Sequence, residues 1–563
     1  MAARRARFRR RHRWLKWAAG ALLLAFIALG VAISVALRRA EPMLRAEIVE
    51  KLEEHFHARV ELDSFHVSLM NGLWAEGKGL RIWPPAQVAG VTVPGPDGAG
   101  AAGSAKPLIR LAEFRFHAPL RYRPGEAIRI SVVELKGLDV DVPPKPHFTH
   151  AATVSAEAGP EQQETPLVRF EIESIECKGA HLTLETSKPG KQPLEFAIAH
   201  IKLTHVSVGG SMRFDAQLTN PRPAGTIVTS GNIGPWVMED PGETPLAGDY
   251  RLQHADLGVF KGIAGTIDST GKYRGALRDL EVDGQTDTRD FRLTHFGTAM
   301  PLHTVFHATV DGTNGDTWLQ PVDAALARSH FTAEGRIVGV PAGVLPNGGA
   351  RPGGHEIALN VYVDRGQIED FLRLTTKSGT ALLNGALTLK ATLEIPPGAA
   401  PVQDRMKLKG SFVLEDAAFT SAKIQDDIAE LSLRGQGRPK DAKNAGANVR
   451  SSIESDFEMA TGVITLPDLK YTVPGAEIDV NGTYDVDGSR LDFRGKAKTQ
   501  ATVSQMVGGW KGALLKPADR LFRKDGAGTE VFIHINGTSE DPKFGIDLEG
   551  KKHTSPVTPG GPQ

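Results

Sequence analysis

The chain has 563 residues in which 66 Lys and Arg balance 66 Asp and Glu, and this neutrality excludes a broad cationic surface for nucleic acid. Its one cysteine, Cys177, excludes an internal disulfide framework and any multi-cysteine metal centre. Sixty-one glycines and 36 prolines argue for strands and turns over helices, which both residues interrupt.

Residues 1–16 carry Arg4, Arg5, Arg7, Arg9, Arg10, Arg11, Arg13 and Lys16 with no acid. Residues 17–37 then form an apolar run without a charge, through Trp17, Leu22, Leu23, Leu24, Phe26, Ile27, Leu29, Val31, Ile33, Val35 and Leu37. About 20 residues at 1.5 Å rise span a bilayer core, so this run predicts a transmembrane helix. The positive-inside rule places its basic flank in the cytoplasm and the rest of the chain on the far side. Ser34-Val35-Ala36 also fits a signal-peptidase site, but the run is longer than a signal core and Trp14 and Trp17 suit a permanent anchor.

Residues 38–57 predict an amphipathic collar, with Leu44, Ile48, Leu52 and Phe56 at helical spacing from Pro42 onward. From there to 340 the period falls to two: Phe65, Val67 and Leu69, Ile128 to Val132, Phe170 to Ile172, Ile201 to Leu203, Leu277 to Val282 and Val305 to Val310. A loose unit recurs, a charged strand, a Gly and a short strand, at Val133 to Val140, Ile175 to Leu182 and Met406 to Val413. Its irregular spacing fits a stack of related strands and not a strict solenoid. Segments 86–106, 143–166, 341–354 and 435–448 predict mobile loops.

Residues 355–550 continue as strands, interrupted by helices around Ile368, Phe371 and Leu372, after Ser421, and over Val503 to Leu515. Asp487-Gly488 between two alternating runs predicts a hairpin. Trp510 to Lys524 reads equally as an interfacial segment or a packed end-cap, and 551–563 as a disordered tail.

No constellation for catalysis emerges, so a non-enzyme without cofactor is expected. His303 and His307 have zinc-like spacing but lie in an alternating strand, which makes them surface histidines. Gly265 to Lys272 has one residue too many for a phosphate loop, and Asp485-x-Asp487-Gly488 lacks the later ligands of a calcium loop. Cys177 sits in a strand with no group to activate it.

The span, the block from Glu41 to Phe56 and Val60 to Leu69 resemble the AsmA-like family of membrane-anchored exported proteins, related to TamB-type repeating β-groove proteins. The C-terminal region carries the resemblance too, through Phe412 to Arg434, Pro474 to Glu477, Trp510 to Gly528 and Pro542 to Phe544. The resemblance implies a mostly β fold: an N-terminal transmembrane helix, then an elongated, curved, antiparallel-rich β-groove with a few short helices. It also implies a single-pass protein of a bacterial inner membrane, with its bulk in the periplasm, that shields lipid acyl chains. Period-two strands independently offer one apolar face to bury against something, and each acyl CH₂ buried contributes about 0.8 kcal/mol. About thirty strands would make a rod on the order of 140 Å.

The expected function is therefore to bind or conduct phospholipid along the groove for outer-membrane lipid homeostasis and biogenesis, with Val305, Ile478, Val480, Leu491 and Phe493 as candidate lining. Expected partners are phospholipid, the inner membrane and an outer-membrane or envelope protein, not nucleic acid. The alternative is a non-conducting scaffold for outer-membrane proteins that pairs through its sheet edges.

Overall fold

A computed structural model describes residues 41–50, 52–53, 59–68, 73–83, 106–118, 128–142, 170–185, 193–206, 210–237, 241–294, 298–344, 349–374, 381–444, 449–507, 516, 519, 528–538 and 541–547. The predicted span and its basic flank, the segments 86–105 and 143–166, Trp510 and the tail lie outside them. Among the described residues no helix is long and apolar enough to cross a membrane.

Twenty-five described strands join in one curled half-barrel sheet. Val60–Glu61 and Ser64–Ser68 lie end to end on one lane, as do Ile263–Ala264 and Thr266–Ala276, which leaves 23 lanes. Each lane pairs with the next in chain order, and 23 lanes spaced at about 4.8 Å run for about 105 Å along the ladder. The described ladder is thus shorter than the one thirty strands would make.

Every pairing is antiparallel except one, in which Ile128–Val142 runs parallel to Phe170–Leu184. A parallel pair needs a crossover of a dozen or more residues, and residues 143–169 between the two strands supply that length. The first two copies of the recurring unit are these two strands, and they pair residue for residue: Leu135 with Cys177, Lys136 with Lys178, Leu138 with Ala180.

The glycines of the first two units have a structural reason, which Gly79 shares. Gly79, Gly137 and Gly179 have φ of +67°, +63° and +69°, a left-handed conformation that costs other residues about 1–2 kcal/mol. Each follows a lysine, and each lets the alternation slip by one, so that Leu135 and Leu138, or Cys177 and Ala180, face the same side three positions apart. With Ala112 and Ala199 between or beside them, these glycines draw a crease across five neighbouring strands. The third copy differs: Gly410 pairs regularly with Ala391 and Phe457, and no crease forms there. Further bulges, at Leu252/Ala255, Thr288/Phe291, Leu319/Val322 and Val363/Gly366, add local twist and bend the sheet.

Helices pack on the sheet at two main places. Residues 41–50 and 52–53 are helical, and Ile48, Val49 and Leu52 pack on a core of Leu62, Phe65, Ala75, Leu111 and Phe114 and on Val60 and Ile82. Leu44, predicted for the same stripe, is exposed, and Phe56 lies outside the described residues. The helix also occupies the open edge of the first strands. Glu53 Oε1 accepts from Val60 N at 3.0 Å, Glu41 Oε1 from Val67 N at 3.3 Å, and Arg45 Nε donates to Leu62 O at 2.7 Å.

Near the other end, Ala422–Gly435 lays Ile428 and Leu431 over Leu414, Ile453, Tyr471 and Val473. Ser421 stands at its N-cap without a side-chain capping bond. The predicted short helix is Ile368–Arg373, while the one expected over 503–515 is described as Val503–Val507. The expected loop 341–354 contains a small hairpin, Gly343–Val344 with Ala350–Arg351, and the one at 435–448 a turn of 3-10 helix, Asp441–Asn444. The Asp487-Gly488 hairpin forms as predicted, with Gly488 N donating to Asp485 O at 2.8 Å between paired strands Ala476–Asp485 and Leu491–Thr499.

Candidate functional site: the apolar inner face

Pairing partners share a face, so the register sorts every strand residue. One face runs Phe65, Gly77, Phe114, Leu135, Cys177, Ile201, Ala216, Thr229, Tyr250, Gly271, Gly284 and Phe306 across twelve successive lanes. It continues through Ala324, Phe331, Val363, Leu389 and Phe412, and through Leu414, Ile453, Tyr471, Ile478 and Ala497. The opposite face carries cross-strand ion pairs such as Arg115 with Glu76, Lys202 with Glu176, Arg274 with Glu281 and Lys470 with Glu454. The bond from Lys78 holds the Glu76 carboxyl below its usual range, as Lys202 does for Glu176.

Burial identifies the apolar face as the inside of the curl. The large apolar side chains of the main sheet that are more than a third exposed, Val228, Val305, Trp318, Tyr362, Val413 and Phe532, all stand on the charged face. On the apolar face Ala308, Leu326 and Val363 are 1%, 3% and 0% exposed, although described helices pack on it only locally.

Four of the five predicted lining residues come together here. Val480 pairs with Gly495, Ile478 with Ala497, Tyr484 with Leu491 and Gly482 with Phe493, all on the apolar face. Val305 stands on the charged face, 47% exposed, between His303 and His307; the inner positions of its strand are Leu302, Thr304, Phe306 and Ala308. Nδ1 of His303 and of His307 each lies 2.7 Å from an aspartate, Asp287 and Asp283, which accounts for them as surface residues. Cys177 is 1% exposed, and burial pushes its thiol above the ordinary range.

Twist brings the two long rims of the sheet together. Strands rotate by about 20–25° from one to the next, so seven lanes turn the ribbon by about 160° and set one rim against the other. Two contacts have this offset. The turn at Gly315 lies against Leu194 across seven strands, a Cβ on the glycine standing 3.9 Å from Leu194 Cδ1. Four strands further along, and again across seven strands, Val402 N donates to Lys261 O at 2.9 Å. Eleven-residue strands are about 36 Å long and seven lanes about 34 Å wide, so one wrap measures about 50 Å and the tube about 16 Å between backbones, the gauge of an eight-stranded barrel. Facing side-chain layers take about 10 Å of that, and the side chains lining the bore at Tyr250, Tyr273, Thr286 and Phe306 are half-buried, neither sealed nor fully exposed.

A group sequence reading missed lies on the inner wall of the first of these wraps. Tyr273 Oη is 2.6 Å from Thr229 Oγ1, Tyr250 Oη 3.1 Å from Ser269 Oγ, and Thr286 Oγ1 2.6 Å from Thr304 Oγ1. Burial raises both tyrosine phenols above their ordinary range. The rings lie over Gly248, Gly271 and Gly284, where a side chain would leave no room for them. The signal was present as Tyr and Thr at inward positions of strands rich in glycine.

Two surface clefts of about 480 Å³ each are lined mainly by residues of the charged face. In one, Arg274 and Lys272 already face Glu281 and Asp249 at 2.8 and 3.7 Å, so neither cation is spare. Among the described residues no group of three or more His, Cys, Asp or Glu could hold a metal. No family model, curated protein or solved structure matches the chain.

Proposed function

We propose that this protein is an AsmA-like, inner-membrane-anchored periplasmic protein that binds or conducts phospholipid along the inner face of its sheet. The observation that carries the reading is the inward ladder from Phe65 to Ala497, apolar along the curl except for the hydroxyl group around Tyr250. A single sheet leaves such a face for something else to bury, and an acyl chain gains about 0.8 kcal/mol per CH₂ by doing so. The run 17–37 would fix the collar end of the groove to the membrane that supplies the lipid, and no enzyme activity or cofactor belongs to this reading.

The supporting chemistry is one-sided: ion pairs outside and a mainly apolar face inside. Native mass spectrometry of the full chain, extracted in mild detergent, is expected to find phospholipid bound at one or more copies per protein. Protein that is consistently free of lipid would count against the proposal.

A second reading, a scaffold that pairs with a partner strand, draws on the asymmetry of the edges. The collar helix occupies the first edge, whereas Pro542–Asp547 pairs on one side alone among the described residues. A crosslinkable residue at Lys543 that captured an envelope protein, with none capturing lipid inside, would favour it.

A further inference from the structure

The hydroxyl group on the inner wall coincides with a place where the rims meet. Seven strands lie between Leu194 and Gly315, and Tyr250 is on the inner face of the middle one. Where the rims stand apart, a lipid can keep its head group in water while its chains lie inside. Where they touch, its polar part must share the bore with its chains.

The hydrogen bonds show what the wall offers at that turn. Thr229 Oγ1 donates to Asp249 O at 2.8 Å, so the Tyr273 phenol is the donor to Thr229. Ser269 Oγ donates to Gln285 O at 2.9 Å, so the Tyr250 phenol is the donor to Ser269. Both phenol oxygens keep lone pairs for an incoming donor. Between Thr286 and Thr304 one proton makes the bond and the other is left for an incoming acceptor. Leu252 and Ile227 flank the group on the same face.

We propose that this turn is a station for the polar linkage of a diacyl lipid, holding an ester carbonyl and the adjoining head group while the chains extend into the apolar wall on either side. The inference rests on the lipid reading above and adds to it a fixed position for the polar linkage. An ester carbonyl taken into a bore without a donor loses its hydrogen bonds with water; the spare threonine proton restores one, and the phenol oxygens accept from the head group, its ammonium in phosphatidylethanolamine or its hydroxyls in phosphatidylglycerol.

The test uses the full chain in vesicles of phosphatidylethanolamine and phosphatidylglycerol, with benzoyl-phenylalanine in place of Leu252, beside the hydroxyls, or of Val361, on the inner face beyond them. After illumination, fragmentation mass spectrometry maps the lipid carbon attached. At Leu252 the adducts are expected at least threefold enriched on glycerol and the first acyl carbons; at Val361 they fall on mid-chain carbons. Adding Tyr250→Phe with Tyr273→Phe, changes that keep the rings over their glycines, is expected to abolish the enrichment. The same carbon distribution at both positions, or an enrichment indifferent to the double change, overturns the station. No lipid adduct at either position overturns the lipid reading beneath it.

Discussion

Gly179 shows how one residue sets the face of a strand. No neighbour within 4 Å would touch a Cβ there, so the cost of Gly179→Ala is the left-handed backbone alone, about 1–2 kcal/mol. At Gly137, which has the same conformation, a Cβ would also stand 2.9 Å from Ala112 Cβ. Amide exchange is expected to quicken by about tenfold in Phe170–Leu184 for Gly179→Ala, and by more in Ile128–Val142 for Gly137→Ala. Equal or absent effects would mean that the crease is not strained. The sequence displays these glycines as a repeat, but the repeat does not reveal the conformation: Lys409-Gly410 has the same local pattern and an ordinary strand backbone. Val305 teaches the same at the level of a face. It belongs to an alternating run, and only its phase relative to Phe306 and Ala308 puts it outside.

At the scale of elements, strands and hairpins were legible because each is decided by a few neighbouring residues: period two sets the strand, and Asp487-Gly488 sets the turn. The parallel pair was not legible, since it depends on a crossover through residues 143–169 that no local pattern announces. The collar was legible as an amphipathic helix, but its second task, capping a sheet edge with polar side chains, is a tertiary fact. An uncovered edge is a template for strand addition, and Arg45, Glu41 and Glu53 fill its donors and acceptors. Arg45→Met is expected to cost about 1 kcal/mol locally, read as a roughly fivefold faster amide exchange in Ser64–Ser68. Glu47→Met, an exposed change on the same helix, is the control and is expected to leave that exchange unaltered.

For the whole molecule, the closing of the rims and the bore it creates arise from twist summed over seven strands, a quantity that no short window of sequence contains. The inner face was partly legible: Ile478, Val480, Leu491 and Phe493 fall on it, while the hydroxyl group of Tyr250 and Tyr273 emerged only once register had placed those residues side by side. The proposed function requires that face to be the lipid path. Adjacent residues on opposite faces give the sharpest test, with benzoyl-phenylalanine in place of Phe306, inside, or of Val305, outside, in the full chain in native membranes. Lipid adducts at Phe306 at tenfold or more the yield at Val305 are predicted. Equal yields at the two positions, or adducts at Phe306 that are protein and not lipid, would contradict the account.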